Sequence, residues 1–549
     1  MTNDTTDRDA VLDSAHLGDI RGALGTIRQG DVAPRNRVSL RLKTLLAIIG
    51  PGLIVMVGDN DAGAFGTYTQ AGQNYGTRLL WTLLLLIPVI YVNQEMVLRL
   101  GAVTGVGHAR LILERYGRFW GAFSVIDLFI LNALTIVTEF IGISLGLTYL
   151  GLPKVPGVIA AALVIIASVS TGSFRRFERV SLLLVAGSLT LIPIFLLVHP
   201  PMGQVARDFL VPGMPAGSQM STVMLLIIAI VGTTVAPWQL FFQQSYIIDK
   251  RITPRFIPYE RVDLWLGIVF VVVGAVAMMA FSAAAFAGTP GHGNYTDALG
   301  IAEGLAASAG HWAGILFAIA LIDASIIGAA AVGLSTSYAM GDVLGLHHSL
   351  HRRPSEAKAF YAIFAGLLLV SAVIVIIPGS PLGLLTEGVQ TLAGVLLPSA
   401  TVFLLLLCND RGVLGPWVNR RAMNVFAGAV IAVLVMLSTI LTASVLFPQI
   451  TSTQILVILA VGTALSLAAG AYLAWSARHH PATPAASTEP PEAPEPAQDR
   501  ATWRMPPIAM LTRPTLSAGN RTGLTVLRGY LLVASALVVV KVVQLALGH

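Results

Sequence analysis

Apolar residues run along this chain in blocks of about twenty, separated by short polar stretches that hold most of the charge. About 20 apolar residues are what a helix needs to cross the hydrocarbon of a bilayer. On that ruler the pattern predicts spans near 45–70, 79–99, 120–150, 156–170, 180–199, 219–247, 263–287, 311–340, 358–377, 385–407, 422–446, 452–475 and 524–546. The fourth is short, and the first and sixth are interrupted. Gly50-Pro51-Gly52 and Gly58-Asp59-Asn60-Asp61-Ala62-Gly63 interrupt the first, and Gly232-Thr233-Thr234-Val235-Ala236-Pro237 the sixth.

Composition strengthens the membrane reading. Apolar residues make up 55% of the 549 residues and charged ones 11%, against about a quarter charged in soluble proteins. The mean hydropathy is +0.77. A net charge of +6 would suit nucleic acid, but the arginines lie between apolar runs instead of forming one stripe, so no nucleic-acid partner is expected. The single cysteine, Cys408, excludes an intramolecular disulfide and any multi-cysteine metal site.

Lys and Arg concentrate in alternate loops: Arg99, Arg110, Arg115 and Arg118; Arg175, Arg176 and Arg179; Lys250, Arg251 and Arg255; Arg352, Arg353 and Lys358; Arg411, Arg420 and Arg421. The other loops hold little beyond Arg78, Lys154 and Arg207, and Gly288–His311 has neither type. The bias predicts a multi-pass plasma (inner) membrane protein with its amino terminus in the cytoplasm. No cleavable signal peptide is evident, and the first apolar run serves as the insertion signal. The pattern divides the chain into a cytoplasmic tail (1–40), a core (41–475), a Pro/Ala/Glu-rich linker expected to be disordered (476–521) and a last helix (522–549). The oligomeric state is not encoded in any of these features.

Irregular backbone at membrane depth is tolerated only where it is packed in protein or lines a cavity. The first break carries Asp59 and Asp61, and a mid-bilayer charge costs roughly 2.5–3.5 kcal/mol on insertion scales. They either serve a function or cap a half-helix at the water boundary. In the sixth break Pro237 removes a helix hydrogen bond and frees nearby carbonyls, that of Thr233 among them. Paired interruptions in two halves point to a midplane site between inverted repeats, here about 45–199 and 219–407 followed by two extra helices. Glu139 lies seven and four residues after Asn132 and Thr135 on one helix face that could line a water path, and Asp323 is mid-span and could pair, carry protons or bind an ion. Asp127 is expected at the solvated start of its span, and Glu95 and Arg99 as a structural i,i+4 pair. His347, His348 and His351 resemble a metal cluster but fall in a basic loop read as solvated.

The order and spacing of several motifs resemble the natural resistance-associated macrophage protein (NRAMP) family of divalent metal transporters. They are Gly50-Pro51-Gly52 with Gly58, Asp61, Gly63 and Gln70-Ala71-Gly72; Arg99-Leu100-Gly101 with Thr104-Gly105 and Glu114-Arg115-Tyr116; Glu139 to Gly142; Arg175, Arg176 and Glu178; Val235-Ala236-Pro237-Trp238-Gln239-Leu240; and Gln390 eight residues before Pro398. The resemblance covers roughly residues 40–475. It implies an all-α integral membrane protein of the leucine-transporter-type (APC superfamily) 5+5 inverted repeat, with discontinuous helices 1 and 6, twelve or thirteen transmembrane helices and alternating access. It also implies a metal site of Asp61, the Thr233 carbonyl and Gln390.

The departures from the family pattern redirect the expected cargo. Where the family has Asp-Pro-Gly-Asn, this chain has Asp61-Ala62-Gly63-Ala64; where it has Met-Pro-His, this chain has Ala236-Pro237-Trp238. The amide, thioether and imidazole are gone, while Asp59 adds a carboxylate. Oxygen donors favour hard ions, and room beside Ala64 and Ala236 suits Mg²⁺, which gives up its waters reluctantly. This resembles the NRAMP-related magnesium transporter branch, with Asp-Asn-Asp-Ala-Gly as its signature. Ile136 stands three residues before Glu139, where proton-coupled members have an aspartate, and Trp238 and Gln243 stand at the histidine positions. The expectation is uptake of Mg²⁺ or Mn²⁺ with weak or absent proton coupling, no resident cofactor, and Ala64, Ala236, Pro237 and Trp238 shaping the cavity. The rivals are a proton-coupled Mn²⁺/Fe²⁺ transporter, an amino-acid transporter of the same fold, and a metal-sensing membrane scaffold. No nucleophile–base spacing or phosphate-binding glycine loop points to an enzyme.

Overall fold

The computed structural model describes residues 10–377, 382–447, 450–479, 500–512 and 514, with short pieces between 523 and 533. From Val38 onward the described chain is almost wholly helical, as hydrocarbon demands of a backbone that must satisfy its own N–H and C=O groups. The first apolar run is split in three: α1 (Val38–Ile48), α2 (Pro51–Val57) and α3 (Ala62–Tyr75). Next come α4 (Trp81–Thr104), the short α5 (His108–Tyr116), α6 (Arg118–Tyr149) and α7 (Lys154–Val169). The fifth run is α8 (Phe174–Gly187) continued through a 3-10 turn into α9 (Leu191–Val198), and the short α10 (Met202–Leu210) follows. The sixth is α11 (Met220–Thr234) and α12 (Pro237–Asp249). Beyond it lie α13 (Ile257–Phe286), α14 (Ala298–Ala309), α15 (His311–Leu344), α16 (Lys358–Ile376) and α17 (Leu382–Cys408). After a four-residue α18 (Arg411–Leu414) come α19 (Arg421–Leu446) and α20 (Ser452–His479).

Among the described residues ten helices are long and apolar enough to cross a membrane, α7 is a shorter apolar one, and the first run is broken. These account for twelve of the predicted spans. The thirteenth, 524–546, lies almost entirely outside the described residues.

The two halves exchange partners as inverted repeats should. The broken first span lies along α13 of the second half, and the second part of the sixth, α12, lies along α4 of the first. Likewise α2 touches α8, as α11 touches α17, and the two third helices of the repeats, α6 and α15, pack along each other most extensively of all. Small residues permit that approach. A Cβ on Gly142 of α6 would stand 2.4 Å from Ser325 Oγ of α15 and 2.6 Å from the Ala62 Cβ. This is the leucine-transporter-type fold with discontinuous helices 1 and 6.

Ahead of the first break, α1 and α2 meet at 49°. Gly50 turns there at φ 152°, and Pro51 opens α2, where its missing N–H costs no bond. Two buried charges hold the bend. Lys250 donates to the Ile48 and Ile49 carbonyls at 2.6 and 2.9 Å and pairs with Glu178 at 2.5 Å. Asp263 accepts from the Gly50 and Gly52 amides at 3.1 and 2.7 Å.

Three expectations about the periphery are corrected. Residues 10–33, within the expected amino-terminal tail, carry a two-stranded pairing of Ile20–Arg21 with Thr26–Ile27 and bury Ile20 and Ile27. Arginines of three separate loops fix this segment, Arg175 on the Gly22 carbonyl (3.0 Å), Arg251 on Ala15 (2.7 Å) and Arg352 on Asp13 (2.7 Å). The segment 476–521 is not uniformly disordered, because Trp503, Met505 and Ile508 give it apolar surface to bury. Residues 476–479 extend α20, Met505 donates to the Val103 carbonyl at 3.2 Å, and Arg115 donates to that of Thr512 at 2.5 Å. The histidines 348 and 351 are not solvated: His348 Nε2 lies 2.9 Å from Asp342, and His351 stacks on Phe174. Only His347 of the three is exposed; Asp13 and His16 of the docked segment meet His348, while Phe174 and the Asp249 carbonyl cover His351. Glu95 and Arg99 do pair, at 3.1 Å, with Arg261 on the other oxygen of Glu95 at 2.6 Å. Asp127 is half-buried and lines a narrow cleft with Pro237, Phe241 and Ser399 instead of standing in open solvent.

Candidate functional site

Between α2 and α3 the chain unwinds for four residues, Gly58 to Asp61, of which the last three have side chains that cannot be idle in a buried position. Asp61, with φ −76° and ψ −174°, is the N-cap of α3 and accepts from the Ala64 amide at 2.9 Å. Aspartate is among the best residues for that task. The capping alternative is thus true in part: Asp61 caps a half-helix, but at 2% exposure it does so buried within the protein. Asp59 caps nothing. One of its oxygens takes the Gln239 amide from α12, and the other is buried with no hydrogen-bond partner. Asn60 turns away to the Val271 carbonyl of α13 at 3.2 Å.

Glu139 of α6 completes the acidic group. Its Oε2 accepts from the Ala62 amide at 3.2 Å, its carboxyl lies on the same side of Gly328 as Asp61, and its Oε1 has no partner. Gly328 of α15 makes room for both: a Cβ there would be 2.8 Å from Glu139 Oε2 and 2.9 Å from Asp61 Cβ. Asn132, Thr135 and Glu139 do share one buried face, with Asn132 donating to Thr336 of α15 at 2.8 Å.

The sixth break faces this group with neutral dipoles. α11 ends at Thr234 and α12 begins at Pro237, which has no N–H to offer the Thr233 carbonyl. The Thr233 hydroxyl is also buried and unpartnered. Thr234 bonds Tyr68 of α3 at 2.6 Å and so ties one break to the other. Ala236 and Ala64 are both buried and leave the lining apolar and short. Trp238 reaches the first break, its ring 3.8 Å from where a Cβ on Gly58 would stand, and its carbonyl accepts from Ser335 at 2.9 Å. Gln390 arrives from α17. A Cβ at Gly63 would stand 1.7 Å from its amide nitrogen and 3.2 Å from Asp61 Oδ1, so the bare glycine is what lets Gln390 approach the first break.

The structure therefore gathers Asp59, Asp61, Glu139, Thr233, Gln390, Ala64, Ala236, Pro237 and Trp238 around the two breaks. It does not gather Asp323. That residue lies five positions before Gly328, about 140° around the helix, and its carboxyl packs against Gly187 of α8. Sequence reasoning missed Gln239, which binds Asp59 and also accepts from Gln94 at 3.0 Å. The signal was available: Gln239, Gln243 and Gln244 put three amides in one short membrane helix, where polar side chains seek partners. Among the described residues no three His, Cys, Asp or Glu side chains converge as a ready metal cage. Charge is instead concentrated in orphaned carboxylate oxygens beside bare carbonyls.

A multi-pass bundle with an enclosed acidic site between two broken helices defines a membrane transporter, not an enzyme. A family model described as natural resistance-associated macrophage protein-like (Nramp) matches residues 52–444, and the chain belongs to that family. The divalent metal cation transporter MntH of Ralstonia nicotianae is 30% identical over 411 residues, which cover 71% of this chain and 89% of that one. The protein of the same name from Deinococcus radiodurans is 27% identical over 432 residues, 75% of this chain and 91% of that one. A crystal structure of a mutant of the Eremococcus coleocola manganese transporter matches with a TM-score of 0.62 at 20% identity, over 83% of this chain and 97% of that one. That last likeness establishes the shared fold.

Proposed function

We propose that this chain carries a hard divalent cation, Mg²⁺ or Mn²⁺, into the cytoplasm by alternating access, with weak or absent proton coupling. The observation that carries the reading is the set of buried acceptors without partners: Asp59 Oδ2, Glu139 Oε1 and the Thr233 hydroxyl. Burying an unpaired carboxylate is so costly that such oxygens call for a cation. Asp61 is the principal ligand, Asp59 a second carboxylate acting directly or through water, and the Thr233 carbonyl and Gln390 complete the shell. No thioether or imidazole stands at the breaks, so the donors are oxygens, which suit hard ions. The names of the relatives support a divalent metal as cargo, and Ala64, Ala236 and Trp238, standing where the family carries amide, thioether and imidazole, support a harder ion such as Mg²⁺.

Three of the five arginine-rich loops meet around residues 10–33, which supports a cytoplasmic amino terminus. Helix ends argue against an amino-acid cargo. α2 and α11 point their carbonyl ends at the site, the amino end of α3 is already taken by Asp61, and that of α12 opens on Pro237, which has no N–H to offer, opposite carboxylates that would repel a third.

The test is uptake of Mg²⁺, Mn²⁺, Ca²⁺ and Cd²⁺ into proteoliposomes with an internal pH dye, for the native protein and Asp61→Ala. Mg²⁺ or Mn²⁺ should enter without matching acidification. Uptake of none of these ions, or normal uptake by Asp61→Ala, would sink the proposal; stoichiometric acidification would restore the proton-coupled reading.

A further inference from the structure

On the face that carries the amino-terminal segment, a cavity of about 730 Å³ opens between residues 11–32, residues 501–504 and the turn from α12 to α13. Small-molecule sites commonly span about 300–1,000 Å³. We propose that this cavity binds a phosphate-bearing anion. The inference goes beyond the transport reading and uses it only for the compartment the cavity faces.

Charge balance carries the argument. Four arginines line the cavity, Arg28, Arg251, Arg255 and Arg504, against a single lining carboxylate, Asp31. Asp31 is already engaged on both oxygens by Arg35, at 3.1 and 2.8 Å, and Arg35 is not part of the lining. Arg251 donates to the carbonyls of Ala15 and Asp19, and Arg255 to those of Val32 and Ala33. Neutral carbonyls fix a guanidinium in place but leave its charge standing. The acids nearest Arg251 are Asp19 and Asp249. Asp19 accepts from the Gln29 amide, and Asp249 from Tyr338, Ser349 and the Leu350 amide. Arg28 has no side-chain partner among the described residues.

The cavity therefore holds an excess of positive charge on planar forks whose geometry matches phosphate oxygens. Two of the forks are held by backbone before any ligand arrives, which lowers the ordering cost of binding. Val11, Ile20 and Ile248 add an apolar wall, so the site suits a phosphate joined to a less polar body. With the amino terminus inside, as proposed above, both soluble nucleotides and anionic lipid headgroups can reach it. A ligand here would tie residues 501–504 and the amino-terminal segment to the inner end of the broken sixth helix.

The experiment uses the full-length protein in detergent with chelator present, so that the cation site is silent. Binding of ATP, inorganic pyrophosphate and dioctanoyl phosphatidylglycerol is measured by calorimetry, with dioctanoyl phosphatidylcholine as control. Saturable binding of at least one phosphate probe over the control is expected. Arg28→Glu and Arg504→Glu should each weaken it about tenfold, with unchanged melting of unliganded Arg28→Glu, while Arg28→Lys should recover most of it. Binding of ATP or pyrophosphate identifies a soluble phosphate as the ligand, and binding of phosphatidylglycerol alone identifies a lipid headgroup. Absence of saturable binding by all three, or equal affinity in both charge-reversal variants and the native protein, overturns the proposal whatever ion the transporter carries.

Discussion

The break in the first helix and the break in the sixth interrupt equivalent places by opposite means. The first is made by addition: Asp59, Asn60 and Asp61 supply polar side chains that find partners outside the helix ladder, Asp59 on Gln239 and Asn60 on the Val271 carbonyl, while Asp61 caps the helix that resumes. The sixth is made by removal, since Pro237 deletes an N–H and Ala236 offers no side-chain donor or acceptor. One break thus supplies the negative charge and the other supplies carbonyl dipoles and space. A symmetric pair of acidic breaks would repel itself in a low-dielectric interior; an acidic break facing a neutral one makes a pocket that a single dication can balance.

The largest effect should come from the charge itself. Asp61→Ala should cut uptake by more than about 100-fold, since even outer-shell partners of a metal cost about 10–100-fold. It also removes a cap, at about 1 kcal/mol. Asp61→Asn separates the two roles: its amide oxygen can still accept from Ala64, so thermal stability should hold while proteoliposome uptake stays lost. Recovery of uptake in Asp61→Asn would mean that capping is all the residue does.

Next comes the contact between the halves. In Gly63→Ala the new methyl would stand 1.7 Å from the Gln390 amide. It should expel Gln390, destabilise the protein by roughly 1–3 kcal/mol in a melting assay, and reduce uptake. Native uptake with native stability would show that Gln390 is not held at this site.

Gln239→Ala leaves both oxygens of Asp59 without a protein donor. A tenfold or greater weakening of apparent ion affinity is expected, about what outer-shell partners contribute. If affinity is unchanged, Asp59 is a bystander and the first break has one working carboxylate. The smallest change is expected from Ala236→Met, which puts a thioether in the neutral break. It should raise Cd²⁺ uptake relative to Mg²⁺ in the same vesicles, and an unmoved ratio would remove softness as the basis of selectivity.

Much of this architecture is legible in sequence because the bilayer leaves few choices. Length, apolarity and the two interrupted runs were enough for twelve spans and an inverted repeat. Asp59, Asp61 and Pro237 announced themselves, since such residues at depth need a reason. The periphery misled: residues 10–33 and 500–512 look too polar to fold alone, yet Ile20, Ile27 and Met505 are buried because the helical bundle offers them a surface. His348 and His351 looked solvated for the same reason.

The sequence by itself determined the spans, the places where helices break, and the acids available at those breaks. Each follows from local rules about hydrocarbon, proline and charge. Only the tertiary structure decided which oxygens are left unpaired, because that depends on what other helices bring. Gln239 takes one oxygen of Asp59, Gln390 enters over Gly63, and Gly328 admits Glu139 beside Asp61, while Asp323, as good a candidate on paper, is rotated away toward α8. Spacing along one helix fixes its face, but not what the face meets.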